Sequence, residues 1–372
     1  MKPSQVKSYA LLIIVPFLAV ATLFWVLALL IQPVSGDLTR IGGWSENDFG
    51  WNSPQPVIRV VANNQTITHP DIVVLGDSFS ITDNFWQSVI SRELGEKVLT
   101  FGIDNVGCIN NWAHWASGVS GAKTVIIETV ERLFVRRFRS LGDCPAVTPV
   151  PADMAAGITA SRRATWPPTL DLKYLLRTAV NSVRLYAAAG QTLRSGSTVN
   201  VPIRPGCARF SNKLSDRLLY YVGDDRKKRW TADEVRNAVN NVRMLQDEFT
   251  RAGKQFIFLL VPDKSSVYQH CFVERNPQRI PDATQQLISA GVNTPDLMTV
   301  FRNDSGKIED LYFPDNTHLS ERGYLVLAEQ VRRLLTKRAT QFHEGMAGIS
   351  PGQATPYGPA LPTKRRLSFR HN

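Results

Sequence analysis

Two short stretches hold residue types that together could open an ester. "VVLGDSFS", residues 73–80, runs from apolar residues into Gly76-Asp77-Ser78. "FPDNTHLSERGY", residues 313–324, sets Asp315 and His318 three residues apart, ahead of an apolar-periodic run. A serine hydroxyl is a weak nucleophile until a base removes its proton. The imidazole of His318 would take that proton and return it to the leaving group, while Asp315 would orient the ring and stabilise its charged form. Singly, each stretch has an ordinary explanation, a strand-to-turn junction and a polar turn ahead of a helix. Together, in this order and at these junctions, they supply a nucleophile, a base and an orienting acid.

The elements around them tell where these groups stand. "DIVVLG" reads as a buried strand and "DNFWQSVISREL" as a helix. Ser78 between them is held at the carboxyl end of a strand, where parallel α/β sheets place their ligands. Gly76 is expected to permit a tight turn there, and the Ser78 N–H to help stabilise an oxyanion. "KVLTFG" and "KTVIIETV" read as a second and a third strand, and "KQFIFLLVP" as a fourth. "TADEVRNAVNNVRMLQDEFTRAG" is a helix with a Thr231–Glu234 capping box and Gly253 to end it, and "SERGYLVLAEQVRRLL" is a last helix with Ser320 at its N-cap. Such alternation calls for an α/β fold with a parallel sheet covered on both faces.

Residues 1–36 stand apart. From Tyr9 to Ile31 there is no charge, enough for one bilayer crossing at ~20 residues per span. The run exceeds the ~7–15-residue core of a secretory signal. An uncleaved transmembrane anchor is expected, the alternative being a buried core helix. Lys2 and Lys7 ahead of it would keep the N-terminus cytoplasmic and send the rest outside, to the periplasm or beyond the cell. Residues 37–69 read as a polar lead-in with aromatic anchors. Residues 70–336 read as the main domain, with a basic insert at about 140–225, and residues 337–372 as a disordered basic tail. Within the insert, "PPTLDLKYLLRTAVNSVRLYAAAG" gathers Leu172, Leu175, Leu176, Ala179, Val183 and Tyr186 on one helical face. That helix could lie on a membrane, dock a membrane partner, or pack on the domain.

The net charge of +11 is concentrated: residues 131–230 hold 18 Lys and Arg against 7 Asp and Glu, a surplus of 11, and the remainder balances. An anchored body outside the cytoplasm makes nucleic acid a poor partner. An anionic polysaccharide or lipid headgroups fit, as does a plain solvated basic face. The four cysteines have no spacing suited to zinc. In an oxidising compartment they can pair, Cys108 with Cys144 and Cys207 with Cys271 being favoured over four free thiols.

"GDSFS" and "DNTH" resemble the first and last signature blocks of the SGNH/GDSL superfamily of esterases and acyltransferases. The resemblance implies a flavodoxin-like three-layer α/β/α sandwich, with Ser78 as nucleophile and Asp315 and His318 completing the triad. The second block, whose backbone N–H joins that of Ser78 in the oxyanion hole, falls in "FGIDNVGCINN", where Asn105 or Gly107 takes the place. The superfamily's GxND block is absent. In its stead "ETVERLF" and "LLVPDKSSVY" resemble the E-x-x-E-R and P-x-K-x-x-Y segments of the SGNH-like alginate O-acetyltransferase family (AlgJ/AlgX type). Those proteins are exported and acetylate exopolysaccharides together with a membrane-bound O-acyltransferase. Their D-x-H precedes the serine, whereas D-x-x-H follows it here.

On that resemblance Arg132, Lys264 and Tyr268 become candidate substrate-binding residues. Arg132 serves equally as a structural ion pair, and Lys264 and Tyr268 as a loop ion pair and a packed ring. Trp112 and Trp115 could stack on sugars or fill the core, His114 suits packing, and His69 and His270 show no partner in the sequence. The expected activity is O-acetyl transfer to an exopolysaccharide or other envelope glycan through an acyl-serine. No cofactor is expected, because no CoA-binding fingerprint is present and a membrane-bound O-acyltransferase would relay the acetyl group. The same triad with water as acceptor would make an esterase of envelope glycans. A non-catalytic polysaccharide-binding scaffold is the third possibility.

Overall fold

In the computed structural model, residues 3–30, 34–61, 69–82, 84–118, 121–142, 172–188, 190–274 and 281–347 are described. Two units divide the chain, Met1–Arg332 and Arg333–Asn372.

Four strands make the central sheet: β1 (Ile72–Gly76), β2 (Val98–Gly102), β3 (Thr124–Val130) and β7 (Gln255–Val261). They run parallel in the order β2-β1-β3-β7. These are the four strands expected from the apolar runs, and nearly every residue in them is buried, as befits a sheet covered on both faces. Alternate residues divide between the faces. Val73, Leu75, Leu99, Phe101, Val125, Ile127, Phe256 and Phe258 join a core with α6 (Ile109–Gly118), α7 (Phe134–Phe138), α9 (Ala232–Arg251) and α11 (Ala283–Ser289). Beyond the other face, α5 (Phe85–Leu94) contacts β2, α12 (Leu297–Ser305) contacts β7, and Phe85 meets Tyr324 of α13 (Glu321–Ala347) edge to face. The α9 capping box forms, and Gly253 takes a positive φ of 75° just past the helix.

The lead-in and the insert build a second, smaller core. Within the insert, β4 (Leu193–Ser195), β5 (Thr198–Pro202) and β6 (Arg217–Tyr221) pair antiparallel. Leu193 and Leu219 of this sheet pack with Leu38, Trp44 and Phe49 from the lead-in, where α2 (Asp37–Gly42) and α3 (Glu46–Phe49) form. The Trp44 indole donates to Thr198 Oγ1 at 2.7 Å. Thus the lead-in is less a tether than half of a subdomain. Residues 143–171 of the insert lie outside the described residues.

Three expectations need correction. A helix does form over the uncharged stretch, α1 (Pro3–Leu30), with side chains described at 9–23, 25 and 26. Among the described residues, however, no helix is long and apolar enough to cross a membrane, so the expectation is met only as far as the helix itself. At the other end, the tail was expected to lose structure at 337, yet α13 continues to Ala347; residues 348–372 lie outside the described residues. Thirdly, Gly76 is required by crowding rather than by a turn. A Cβ there would stand 2.4 Å from Ser80 Cβ and 3.0 Å from Glu128 Oε2.

Candidate active site

Ser78 is the first residue of a single-turn helix, α4 (Ser78–Ile81), and is half-buried at the carboxyl end of β1. β1 lies between β2 and β3; the chain passes from β1 to β2 on one side and then crosses over to β3 on the other, so the end of β1 opens on the crevice where such sheets bind ligands. Asp77 shapes the turn. Its Oδ1 accepts from Phe79 N at 3.2 Å, and its Oδ2 from Val130 N and Arg137 Nη1, both at 2.7 Å. Beneath the turn, Glu128 Oε2 accepts from Asp77 N at 2.9 Å and Ser80 Oγ at 2.8 Å. Burial first, and then the Asp77 carboxylate, push the Glu128 carboxyl well above the ordinary range. The first glutamate of E-x-x-E-R therefore supports the turn that carries Ser78 from below.

The His318 ring lies 5.1 Å from the ring of Phe79, the residue after Ser78. The structure thus brings the two distant stretches together. The orienting partner differs from the one expected: His318 Nδ1 meets Asn316 Oδ1 at 2.8 Å and Thr317 Oγ1 at 3.3 Å. An amide oxygen only accepts, so this contact places the ring proton on Nδ1 and the basic lone pair on Nε2. No hydrogen bond joins Ser78 Oγ to His318 among the described residues. Asp315 turns away. Its Oδ2 accepts from Ser35 Oγ at 3.2 Å, and the same hydroxyl donates to Glu46 Oε1 at 2.6 Å. Burial and the neighbouring Glu46 carboxyl raise the Asp315 carboxyl well above its usual value. Asp315 is therefore part of a buried acid pair, and the orienting place belongs to Asn316.

The turn that carries His318 is braced from two sides. Asp37 accepts from Thr317 N at 2.9 Å and from Thr317 Oγ1 at 2.7 Å. Gly36 lies so close that a Cβ would stand 2.5 Å from Asp315 Cβ. From the other side Lys264, on α10 (Lys264–Tyr268), donates to the carbonyls of Phe313, Pro314 and Asn316 at 2.7, 2.8 and 3.2 Å. Burial lowers its ammonium to about 7 against the opposing pull of Asp315 and Asp37.

The remaining candidates divide. Arg132 is spent on Asp263, at 2.6 Å, with Asp224 at 3.6 Å. Burial pulls its guanidinium down, but these carboxylates outweigh it and hold the pKa above the usual range. Lys227 bridges Asp263 and Glu131 at 2.8 and 3.0 Å, and Glu131 also accepts from Asp263 N and Ser266 Oγ. The two family-like segments are thus the two halves of one buried ionic joint. Tyr268 is fully buried against Phe210 and Tyr312, and Lys264 is a brace, so neither lines a surface for substrate. Asn105 is exposed, with Nδ2 lying where a Gly102 Cβ would be 2.8 Å away. Since Gly102 pairs with Gly76, this amide lies over the same sheet end as Ser78. Gly107, at φ 69°, faces open space. Trp112 and Trp115 pack with Phe101, and Trp112 also with Phe249, which assigns them to the core.

Cys207 and Cys271 form the expected disulfide. Cys108 is also disulfide-bonded, while Cys144 lies outside the described residues. With His270, Cys207 and Cys271 form a trio of metal-ligand type, but both thiols are consumed in the bond. Sequence reasoning missed Asn316, Arg137 and the Ser35–Asp37 brace. Arg137 joins Asp77 and Thr129 to Asp104, beside Asn105, through four hydrogen bonds of 2.7–3.1 Å.

Residues 215–355 match the family model of the SGNH hydrolase-like domain, acetyltransferase AlgX. The match takes in Lys264, Tyr268, Asp315 and His318, while Ser78, Asn105, Gly107 and Arg132 precede it. No curated protein and no solved structure matches the chain.

Proposed function

We propose that this protein is an O-acetyltransferase of exopolysaccharide or another envelope glycan, working through an acetyl-Ser78 intermediate. One observation carries the reading: the Phe79–His318 contact gathers serine and histidine at the carboxyl end of the sheet, in a chain whose later half resembles an acetyltransferase domain. Ser78 Oγ attacks the acetyl carbonyl of the donor as its proton passes to His318 Nε2. The Ser78 N–H and Asn105 Nδ2 receive the oxyanion. Collapse breaks the bond to the donor's leaving group, which takes the proton from His318. A glycan hydroxyl then gives its proton to His318, attacks the acetyl-serine, and leaves as the O-acetyl ester while Ser78 recovers its proton. Asn316 keeps the imidazole in the competent tautomer, as an amide does in Cys-His-Asn sites.

The reading extends to place. The whole uncharged run Tyr9–Ile31, part of which lies outside the described residues, serves as a single membrane anchor, with the body on the periplasmic or outer side and a membrane-bound O-acyltransferase delivering the acetyl group. The uncharged run Tyr9–Ile31 and the two basic residues before it support this. Water in place of the glycan would give an esterase, the reading favoured by the hydrolase-like description of the matched domain.

The test uses the full chain in detergent with a chromogenic acetyl ester and a set of glycans, beside Ser78→Ala. Acetyl-Ser78 and acetylated glycan are expected by mass spectrometry with the unmodified chain alone. Acetate release indifferent to every acceptor would replace transfer by hydrolysis. Absence of both adduct and turnover would leave a non-catalytic scaffold.

A further inference from the structure

The helix α8 (Leu172–Ala187) is amphipathic in the inverse of the usual sense. Its hydrogen bonds to the body come from its polar face, with Leu185 packed on the small core beside them. Tyr174 Oη donates to Trp44 O at 2.7 Å, Arg177 Nη1 to Ile41 O at 3.1 Å, and Asn181 Nδ2 to Gly42 O and Gly43 O at 3.0 and 2.8 Å. Its apolar side faces out: Leu176, Val180, Val183 and Tyr186 are 56, 58, 69 and 92% exposed. A stripe of this kind left in water forgoes the stabilisation that burying each large side chain would give, so it calls for a cover.

Two features identify the cover. Lys173, Arg177 and Arg184 are the charged residues of α8, which has no acid; Arg177 and Arg184 are half-buried and donate to Ile41 O and Arg194 O, so Lys173 is its exposed cation, in the segment that holds the whole +11 surplus. Basic residues beside an apolar stripe suit an anionic bilayer surface. Position is the second feature. The carbonyls that Tyr174, Arg177 and Asn181 grip belong to residues 41–44, only ten to thirteen residues beyond the uncharged run that ends at Ile31. Six of those residues are helical in α2. At ~3.4 Å per extended residue and ~1.5 Å per helical one, α8 is held within roughly 30 Å of the point where an anchor would leave the bilayer. We infer that α8 lies on the bilayer, its apolar stripe in the boundary between headgroups and acyl chains and Lys173 among anionic headgroups. This rests on α1 being an anchor. It makes α8 a second foot that fixes how the acetyl-transfer site faces the membrane from which its donor arrives.

Among the described residues no cysteine is free, so an introduced cysteine can carry an environment-sensitive fluorophore, the unmodified chain giving the blank. The full chain is reconstituted in vesicles of zwitterionic and anionic phospholipid, labelled through Val180→Cys, Val183→Cys, Leu18→Cys in α1, or Met244→Cys. Met244 is 63% exposed on α9 and serves as an apolar surface control. The labels at 180 and 183 are expected to emit several-fold more strongly than at 244 and to be quenched by lipids bearing shallow nitroxides, and the label at 18 by lipids bearing nitroxides deep in the acyl chain. Emission at 180 and 183 equal to that at 244, with Leu18 quenched, would overturn the docking and leave the anchor standing. An unquenched Leu18 would remove the anchor and the docking with it. Protection of 180 and 183 in native membranes but not in protein-free vesicles would also overturn the inference, in favour of a membrane protein as the cover.

Discussion

At the residue scale, the proposed acetyl transfer turns on which neighbour orients His318. Asp315 and Asn316 are adjacent, and either could serve on spacing alone. The turn decides between them: Asn316 Oδ1 stands 2.8 Å from Nδ1, while the Asp315 carboxyl is buried with Ser35 and Glu46. A carboxyl turned away into Ser35 and Glu46, and raised by burial, makes a poor partner for a developing imidazolium, whereas an amide oxygen still fixes the tautomer. Removing the orienting group exposes the imidazole to the wrong tautomer, a loss of general-base function worth about 10²-fold or more. Asn316→Ala is therefore expected to lower kcat about 100-fold with KM little changed, and Asp315→Asn to lower it far less while altering stability. Steady-state kinetics on a chromogenic ester decides. The reverse order would return Asp315 to the triad and imply that the turn rearranges with substrate.

At the element scale, the site is a meeting of turns held by braces. Lys264 shows what a brace does. Its three donors hold the carbonyls of Phe313, Pro314 and Asn316, which shape the turn that presents His318. Lys264→Met keeps the stem and removes the donors, leaving buried carbonyls without them, for an expected loss of about 2–3 kcal/mol at pH 6. The pH dependence has a definite sign. The folded pKa, about 7, is below the unfolded value of ~10.4, so between these limits the unfolded chain binds more protons. Folding stability from this group accordingly rises with pH above 7, by at most about 1.4 kcal/mol per unit. Urea unfolding across pH 6–10 should show the unmodified protein gaining on Lys264→Met over that window. A constant gap would mean that Lys264 does not titrate there. Such braces were the least legible part of the sequence. The strands announced themselves as apolar runs, and α9 carried its own capping box. By contrast, Asp37 meets Thr317 across 280 residues, and β4–β6 are three to five residues long. These strands acquire a core only when Trp44 and Phe49 arrive from the lead-in. Nothing local in either segment marks such a pairing.

On the scale of the whole molecule, the lead-in, the insert and the disulfide form one frame around the His318 turn. Ser35 at the end of the N-terminal segment is followed by Asp37 and the core residues Trp44 and Phe49 of the lead-in. The insert packs on that core and is fastened in turn to the segment after α10. Arg204 N donates to Cys271 O at 2.8 Å, Val273 N to Pro202 O at 3.1 Å, and the Cys207–Cys271 bond closes the junction. Since α10 begins with Lys264, the disulfide secures the base of the brace that shapes the turn. Its sequence separation is 64 residues, and in the chain-entropy view closing so long a loop in the unfolded state is worth about 4 kcal/mol. The paired change Cys207→Ser/Cys271→Ser removes the cross-link while leaving the backbone bonds beside it. Its urea midpoint is expected to fall by an amount equivalent to about 4 kcal/mol or somewhat less, with the m-value rising as the unfolded chain expands. Activity per folded molecule should fall less than stability, because Lys264 itself keeps its three carbonyls. A midpoint within about 0.5 kcal/mol of the unmodified protein would mean that the two backbone bonds and the small core hold the frame unaided.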